Sequence, residues 1–303
     1  GEKIVMRLLA ETAHGFSLEE LGFWGENLEE VHYNLKRPVG MILVTGPTGC
    51  GKTTTLYAML QILNTPEVNI STVEDPIEYR MPRINQTQVN PAIGLTFANG
   101  LRSLVRQDPD IMMVGEIRDG ETAGLAVNAS LTGHLVLSTL HTNSASGAIP
   151  RLLDLGVEPF LISSTVNIVI AQRLVRKLCE SKEQYNLSRE DVASLEKEVD
   201  FDKVLNFLKK ERIVKPKTTI EEVPFWRAIP SKDCEDGYQG RRGIYEVLKV
   251  TETIKALIMQ NATADAIENQ AKKEGMITMI EDGFVKAAQG FTTIEEVLRV
   301  IRE

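Results

Sequence analysis

Little in this chain advertises a membrane, an oxidising compartment or a nucleic-acid groove. Cysteine is scarce: Cys50, Cys179 and Cys234 are three among 303 residues, and an odd, sparse set gives no even disulfide framework. That usage predicts a reducing compartment. No apolar run approaches the roughly 20 residues that cross a bilayer, and no signal-peptide pattern opens the sequence. Positive charge is not in excess, with 34 Lys and Arg against 42 Asp and Glu and a formal net charge of −8. No overall basic character therefore offers itself to phosphate backbones, and no direct nucleic-acid partner is expected. Aromatic residues make up 6% and do not interleave with a Lys/Arg stripe, as a single-strand binding groove requires. What remains suits a sizeable core: 43% hydrophobic and 25% charged residues, over a length that fits two domains or one with a large appendage. The opening Gly1-Glu2-Lys3-Ile4 lacks an initiator Met and enters a strand-like run at once, which predicts a fragment of a longer protein.

Against these absences stands one dense motif. The apolar run Met41-Ile42-Leu43-Val44 leads into Thr45-Gly46-Pro47-Thr48-Gly49-Cys50-Gly51-Lys52-Thr53-Thr54. The spacing G-x-x-x-x-G-K-[ST] is complete from Gly46 to Thr53 and marks a nucleotide phosphate-binding loop. Glycines let the backbone curl so that successive N–H groups face anionic oxygens. Lys52 brings a point charge to the β- and γ-phosphates, and the Thr53 hydroxyl suits magnesium. Thr54 to Ile62 reads as a helix, whose N-terminal end faces the same phosphates. The chain is expected to bind a nucleoside triphosphate through Gly46 to Thr54.

Organisation follows from hydrophobic pattern. Lys3–Leu9 is strand-like, and residues 1–15 read as the remnant of a preceding domain. Residues 16–175 alternate strands and helices, the signature of a parallel sheet covered on both faces. Ser17-x-x-Glu20 is a capping box for a short helix that stops at Gly22. The apolar runs 69–73, 110–114 and 135–140 are short and continuous, as strands buried on both faces are. Residues 176–242 read as a charged, helix-rich segment, with Ser188-x-x-Asp191 opening a helix that buries Val192, Leu195 and Val199. Residues 243–303 read as a helical bundle, its last helix capped by Thr293-x-x-Glu296 and burying Ile294, Val297, Leu298 and Ile301. Arg102 and Arg106 lie four apart on one helical face, where ion pairing competes with any catalytic use.

Ligands of open parallel sheets sit beyond the carboxyl ends of the strands. Reading each strand to its end collects the phosphate loop, Glu74-Asp75-Pro76-Ile77-Glu78, Gly115-Glu116-Ile117-Arg118-Asp119, and a histidine pair, His134 and His141. Taken singly these have plain explanations, since turn carboxylates are solvated and isolated histidines often serve structure. Together they suit a metal, an attacking water and a γ-phosphate sensor. Gly115 stands where phosphate-loop proteins commonly carry a magnesium-binding Asp, so metal binding and water activation are expected to be split between Glu116 and Glu74.

The full set, from Gly46–Thr54 through Glu74–Glu78, Gln107–Asp110 and Val114–Asp119 to Thr132–Asn143, resembles the hexameric ATPases of type II secretion and type IV pilus assembly. Leu152–Glu158 and Gln172–Val175 resemble the assembly branch rather than the retraction branch. The resemblance covers the chain from Ile4 onward and implies a RecA-like α/β core with a C-terminal helical subdomain. It implies ATP with Mg2+, Lys52 and Thr53 on phosphate and metal, Glu116 on the metal, Glu74 as the general base, and His134 and His141 at the γ-phosphate. Arg7 matches an arginine that such proteins lend to a neighbouring subunit's site; a solvated strand residue is the plain alternative. Further implications are a homo-hexamer, an inner-membrane platform protein and a cytoplasmic adaptor as partners, and a cytoplasmic location at the inner face of the membrane. Many relatives hold zinc with two Cys-x-x-Cys pairs. Here Lys182 and Ser231 stand in for half of those ligands, so residues 176–242 replace a zinc-binding subdomain and zinc is not expected. A DNA translocase on the same core and a nucleotide-binding scaffold without turnover are the alternatives. The charge balance opposes the first, and Lys52, Glu74, Glu116 and the histidines oppose the second.

Overall fold

Alternate residues of the first strand serve different cores: Met41 and Leu43 join one buried apolar cluster, while Ile42 and Val44 join another. A strand apolar on both faces can lie only inside a sheet covered on both sides. In the computed structural model, which describes Lys3 and residues 16–302, this strand is β1 (Gly40–Thr45). The others in sequence are β2 (Ile70–Glu74), β3 (Ile84–Gln88), β4 (Ile111–Val114), β5 (Leu135–Leu140), β6 (Val166–Leu178), β7 (Lys182–Tyr185), β8 (Phe225–Ala228) and β9 (Tyr238–Lys249).

Seven of them form one sheet in the order β3-β2-β4-β5-β1-β6-β9, with β7 and β8 paired separately. Every pairing in the large sheet is parallel except β6 with β9. Register sets the carboxyl ends level. Thr45 pairs with Leu140, and Val73 with Val114, so the turns that follow β1, β2, β4 and β5 open on one rim.

The expected strands at 69–73, 110–114 and 135–140 appear within one residue of those limits. The polar β3, with its sequence Ile-Asn-Gln-Thr-Gln, was not expected; it is an edge strand with Ile84 buried and Asn85 and Gln88 exposed. The reading of 243 onward as helical is corrected at its start. Residues 243–249 belong to β9, which pairs antiparallel with β6 and buries Ile244, Tyr245, Val247 and Leu248. The open edge of β6 accounts for this, since unpaired strand edges recruit any segment able to supply a ladder. Helices follow from Glu252 to Arg302. Between β6 and β9 the charged segment contains helices Arg189–Leu195 and Phe201–Lys210 together with the β7–β8 pair.

Local capping agrees with the sequence. Ser17 and Glu20, and likewise Ser188 and Asp191, make reciprocal capping boxes. The Glu296 amide donates to Thr293 Oγ1 at the start of the last helix. Arg102 pairs with Glu121. The cysteine expectation is corrected: Cys179 and Cys234 form a disulfide that spans 55 residues, and Cys50 is free and buried. Each half-cystine adjoins the β6–β9 ladder, where Leu178 pairs with Tyr238 and the Cys179 amide donates to the Gly237 carbonyl. No helix among the described residues is long and apolar enough to cross a membrane.

Candidate active site

The phosphate loop owes its shape to a close approach that only glycine permits. Gly46 has φ 146°, and a Cβ there would lie 2.6 Å from both Cys50 Sγ and the Gln172 carbonyl oxygen. Gln172 on β6 then ties the loop to its helix, Lys52–Leu63. Its amide nitrogen donates to the Cys50 carbonyl at 2.6 Å, and its amide oxygen accepts from Thr55 Oγ1 at 2.8 Å. Lys52 folds back over the loop, with Nζ donating to the Gly46 carbonyl at 2.8 Å and to Pro47 at 3.0 Å. Burial holds the Lys52 ammonium below its ordinary pKa, partly offset by Glu116 nearby. A phosphate oxygen would give this half-desolvated cation a better acceptor than the two neutral carbonyls.

A cavity of about 770 Å³ opens over this loop, and Lys52, Thr53, Glu74, Glu116 and His141 all line it. Glu74 ends β2 and is 2% exposed. Glu116 follows β4 and lies between His141 and Arg118: His141 Nε2 is 3.3 Å from its Oε2, and Arg118 pairs with its Oε1. The same contact to Glu116 raises the Arg118 pKa. Gly115 allows the turn to come close, for a Cβ there would stand 3.3 Å from the Val73 carbonyl oxygen and 3.5 Å from Glu74 Cα. The aspartate that this position often carries would crowd β2. Thr139 Oγ1 secures the turn by donating to the Gly115 carbonyl at 2.8 Å. The Thr142 amide donates to Thr45 Oγ1 at 2.9 Å, holding the segment after His141 against the end of β1.

Not every expected residue arrives. His134 precedes β5 at its amino end, opposite the phosphate loop. Its Nδ1 is 2.9 Å from the Ala129 carbonyl oxygen and its own carbonyl accepts from the Gly40 amide. Within one chain it does not meet the γ-phosphate, because a parallel strand delivers only its carboxyl end to that rim. Arg7 lies outside the described residues. The structure adds Arg241 of β9, Arg118, Tyr57 and Tyr79 to the lining. Arg241 follows Gly240 almost two hundred residues after the loop, and only the β6–β9 pairing brings it there. A larger cavity, about 1080 Å³, lies between Arg173, Glu246 and the helices near Lys203 and Glu281. It contains no phosphate-loop residue.

The donor set suits magnesium. The Thr53 hydroxyl and Glu116 carboxylate line the same cavity, and magnesium takes one or two protein oxygens and completes its shell with phosphate and water. Among the described residues no group of three or more His, Cys, Asp or Glu could cage a metal, which leaves room for that shared coordination.

The model of the family "Type II/IV secretion system protein" matches residues 1–299. The Type II secretion system ATPase E of Vibrio cholerae is 49% identical over all of this chain and 56% of its own length. The type IV pilus assembly ATPase PilB of Pseudomonas aeruginosa is 45% identical, again over the whole chain and 50% of its own. The chain thus spans about half the length of the curated relatives it matches. Among solved structures, the pilus retraction motor PilT with bound ADP superposes with a TM-score of 0.67 and 29% identity, over 97% of this chain and 68% of that one.

Proposed function

The chain belongs to the type II/IV secretion system protein family, and on that premise we propose that it is the ATP-hydrolysing part of a motor that powers assembly of type IV pilus or type II secretion pseudopilus subunits. The observation that carries the proposal is the convergence of a complete phosphate loop, Glu74, Glu116 and His141 on one cavity.

In this reading the N–H groups from Gly46 to Thr54 surround the phosphates, and Lys52 exchanges its two loop carbonyls for phosphate oxygens. Glu74 accepts the proton of the attacking water, because it is a buried carboxylate of the cavity held by the neutral donors Thr72, Tyr57 and Gln86 rather than by a cation. Thr53 and Glu116 would hold magnesium, which would neutralise charge on the transferring phosphate. His141 reports the γ-phosphate through its contact with Glu116. Catalysis of this kind is placement and electrostatics more than covalent chemistry.

A ring of six is proposed from the family resemblance, with Arg7 as the candidate cation lent to a neighbour's cavity. An arginine supplied in that way contributes about 10³–10⁵ in rate. The inner-membrane platform protein, the cytoplasmic adaptor and a peripheral place on the inner membrane face belong to the same proposal. The net charge of −8 gives the DNA-translocase alternative no support. The decisive experiment is Lys52→Ala, since the hydrogen bonds of Lys52 go to carbonyls of its own loop. Turnover is expected to vanish while circular dichroism and melting stay unchanged; a folded variant that hydrolyses ATP normally would end the assignment. Turnover per chain is also expected to rise with concentration, and a concentration-independent rate would refute the ring.

A further inference from the structure

The Glu74 carboxylate is buried beneath the nucleotide cavity and its oxygens are unequally occupied. Oε1 accepts from Thr72 Oγ1 and from Gln86 Nε2, the latter at 3.1 Å. Thr72 and Gln86 face each other across the β2–β3 pair, so this side of the clamp is built into the sheet. Oε2 accepts from one donor, the Tyr57 hydroxyl. A carboxylate has about four acceptor positions; three are taken, and the vacant one lies on Oε2.

Tyr57 lies on the helix Lys52–Leu63, five residues after Lys52, and is 1% exposed. Its ring is held edge-on by Tyr79, with centroids 4.7 Å apart. Gln86 Nε2 also reaches the Tyr57 hydroxyl at 3.3 Å and the Tyr79 carbonyl at 3.1 Å. A phenylalanine would fill the same space, so the hydroxyl finds its use in Glu74. Burial and the adjacent carboxylate both push the Tyr57 phenol well above its ordinary pKa, which keeps the donor proton in place.

We propose that Tyr57 is a positioning residue for hydrolysis: its hydroxyl aims the free lone pair of Glu74 Oε2 at the attacking water and fixes that direction to the helix that carries Lys52. The proposal rests on the reading of Glu74 as general base. Its physical content is that one rigid element sets both the phosphate position and the base direction, so that an orientation error of the base costs rate without costing nucleotide affinity.

Four proteins test it: the unaltered chain, Tyr57→Phe, Glu74→Gln and the double variant. Tyr57→Phe removes a hydrogen bond to a charged acceptor and is expected to lower kcat about tenfold or more. Affinity for a fluorescent ATP analogue is expected to stay within about twofold, since the phosphate loop is untouched. Adding Tyr57→Phe to Glu74→Gln should slow turnover no further. Unchanged kcat in Tyr57→Phe, or an equal loss on the Glu74→Gln background, would overturn the proposal. Normal turnover of Glu74→Gln itself would instead remove the base from which it starts, a distinguishable failure. Thermal melting of the same four proteins supplies a readout independent of turnover: non-additive shifts support the contact and additive ones overturn it. Gln86→Ala, which leaves both rings in place, is the second variant and is expected to lower kcat in the same sense.

Discussion

His141 Nε2 lies 3.3 Å from Glu116 Oε2, so the strand ends β4 and β5 meet through one histidine–carboxylate contact above the phosphate loop. With Arg118 on its other oxygen, Glu116 is paired with a cation, whereas Glu74 is held by neutral donors. Two glutamates in one cavity therefore have different electrostatic surroundings.

That contrast predicts different failures. Glu116→Gln should raise the magnesium concentration needed for half-maximal turnover by about tenfold or more, since a ligand charge is lost. Glu74→Gln should keep the magnesium dependence and lose about 10²–10⁴ in kcat, the usual range for removal of a general base. Magnesium titrations of both variants check this, and superimposable curves would refute the division of labour.

The disulfide should be worth measuring under two redox conditions. Closing a 55-residue loop restricts the unfolded chain by about 4 kcal/mol in the chain-entropy account. Cys179→Ser with Cys234→Ser should lower the melting temperature of oxidised protein and leave fully reduced protein unaffected. Equal melting of oxidised parent and double variant would show that the bond adds nothing.

Acid should loosen the last helix. Burial alone would raise the Glu296 pKa, but hydrogen bonds from Arg299 and Arg176 outweigh it and bring it down to about 2. Because the folded pKa lies below the ordinary 4.5, the stabilisation is fully present above that value and is lost as pH falls toward 2. Arg176 is on β6, so the carboxylate fastens the C-terminal helix to the sheet. Glu296→Gln should be less stable at neutral pH and should show a flatter stability profile between pH 4.5 and 2. Parallel profiles for parent and variant would contradict the assignment.

How much of this was legible in the chain depends on sequence distance. The phosphate loop, its helix, the capping boxes and the three central strands are local patterns: glycine spacing, a cap residue three before its partner, a short apolar run. Neighbouring residues create them, and neighbours can be read. Glu74 and Glu116 were legible as a set for a related reason, since strands of a parallel sheet place their carboxyl ends on one rim.

The sequence by itself determined a complete nucleotide phosphate-binding loop and the central strands of a parallel sheet, because those features are written within windows of about ten residues. Tertiary structure alone decided the rest. His134 and His141 are the same residue type bracketing one strand, and strand direction sends only His141 to the site. Cys179 and Cys234 are 55 residues apart and become partners through the β6–β9 ladder. That ladder also turns 243–249 from an expected helical stretch into strand and brings Arg241 over the phosphate loop. Tyr57 reads as one more apolar position on a buried helix until the fold sets Glu74 against its hydroxyl. Each of these is a pairing between distant segments, and hydrophobic pattern specifies which face is buried without specifying what it will meet.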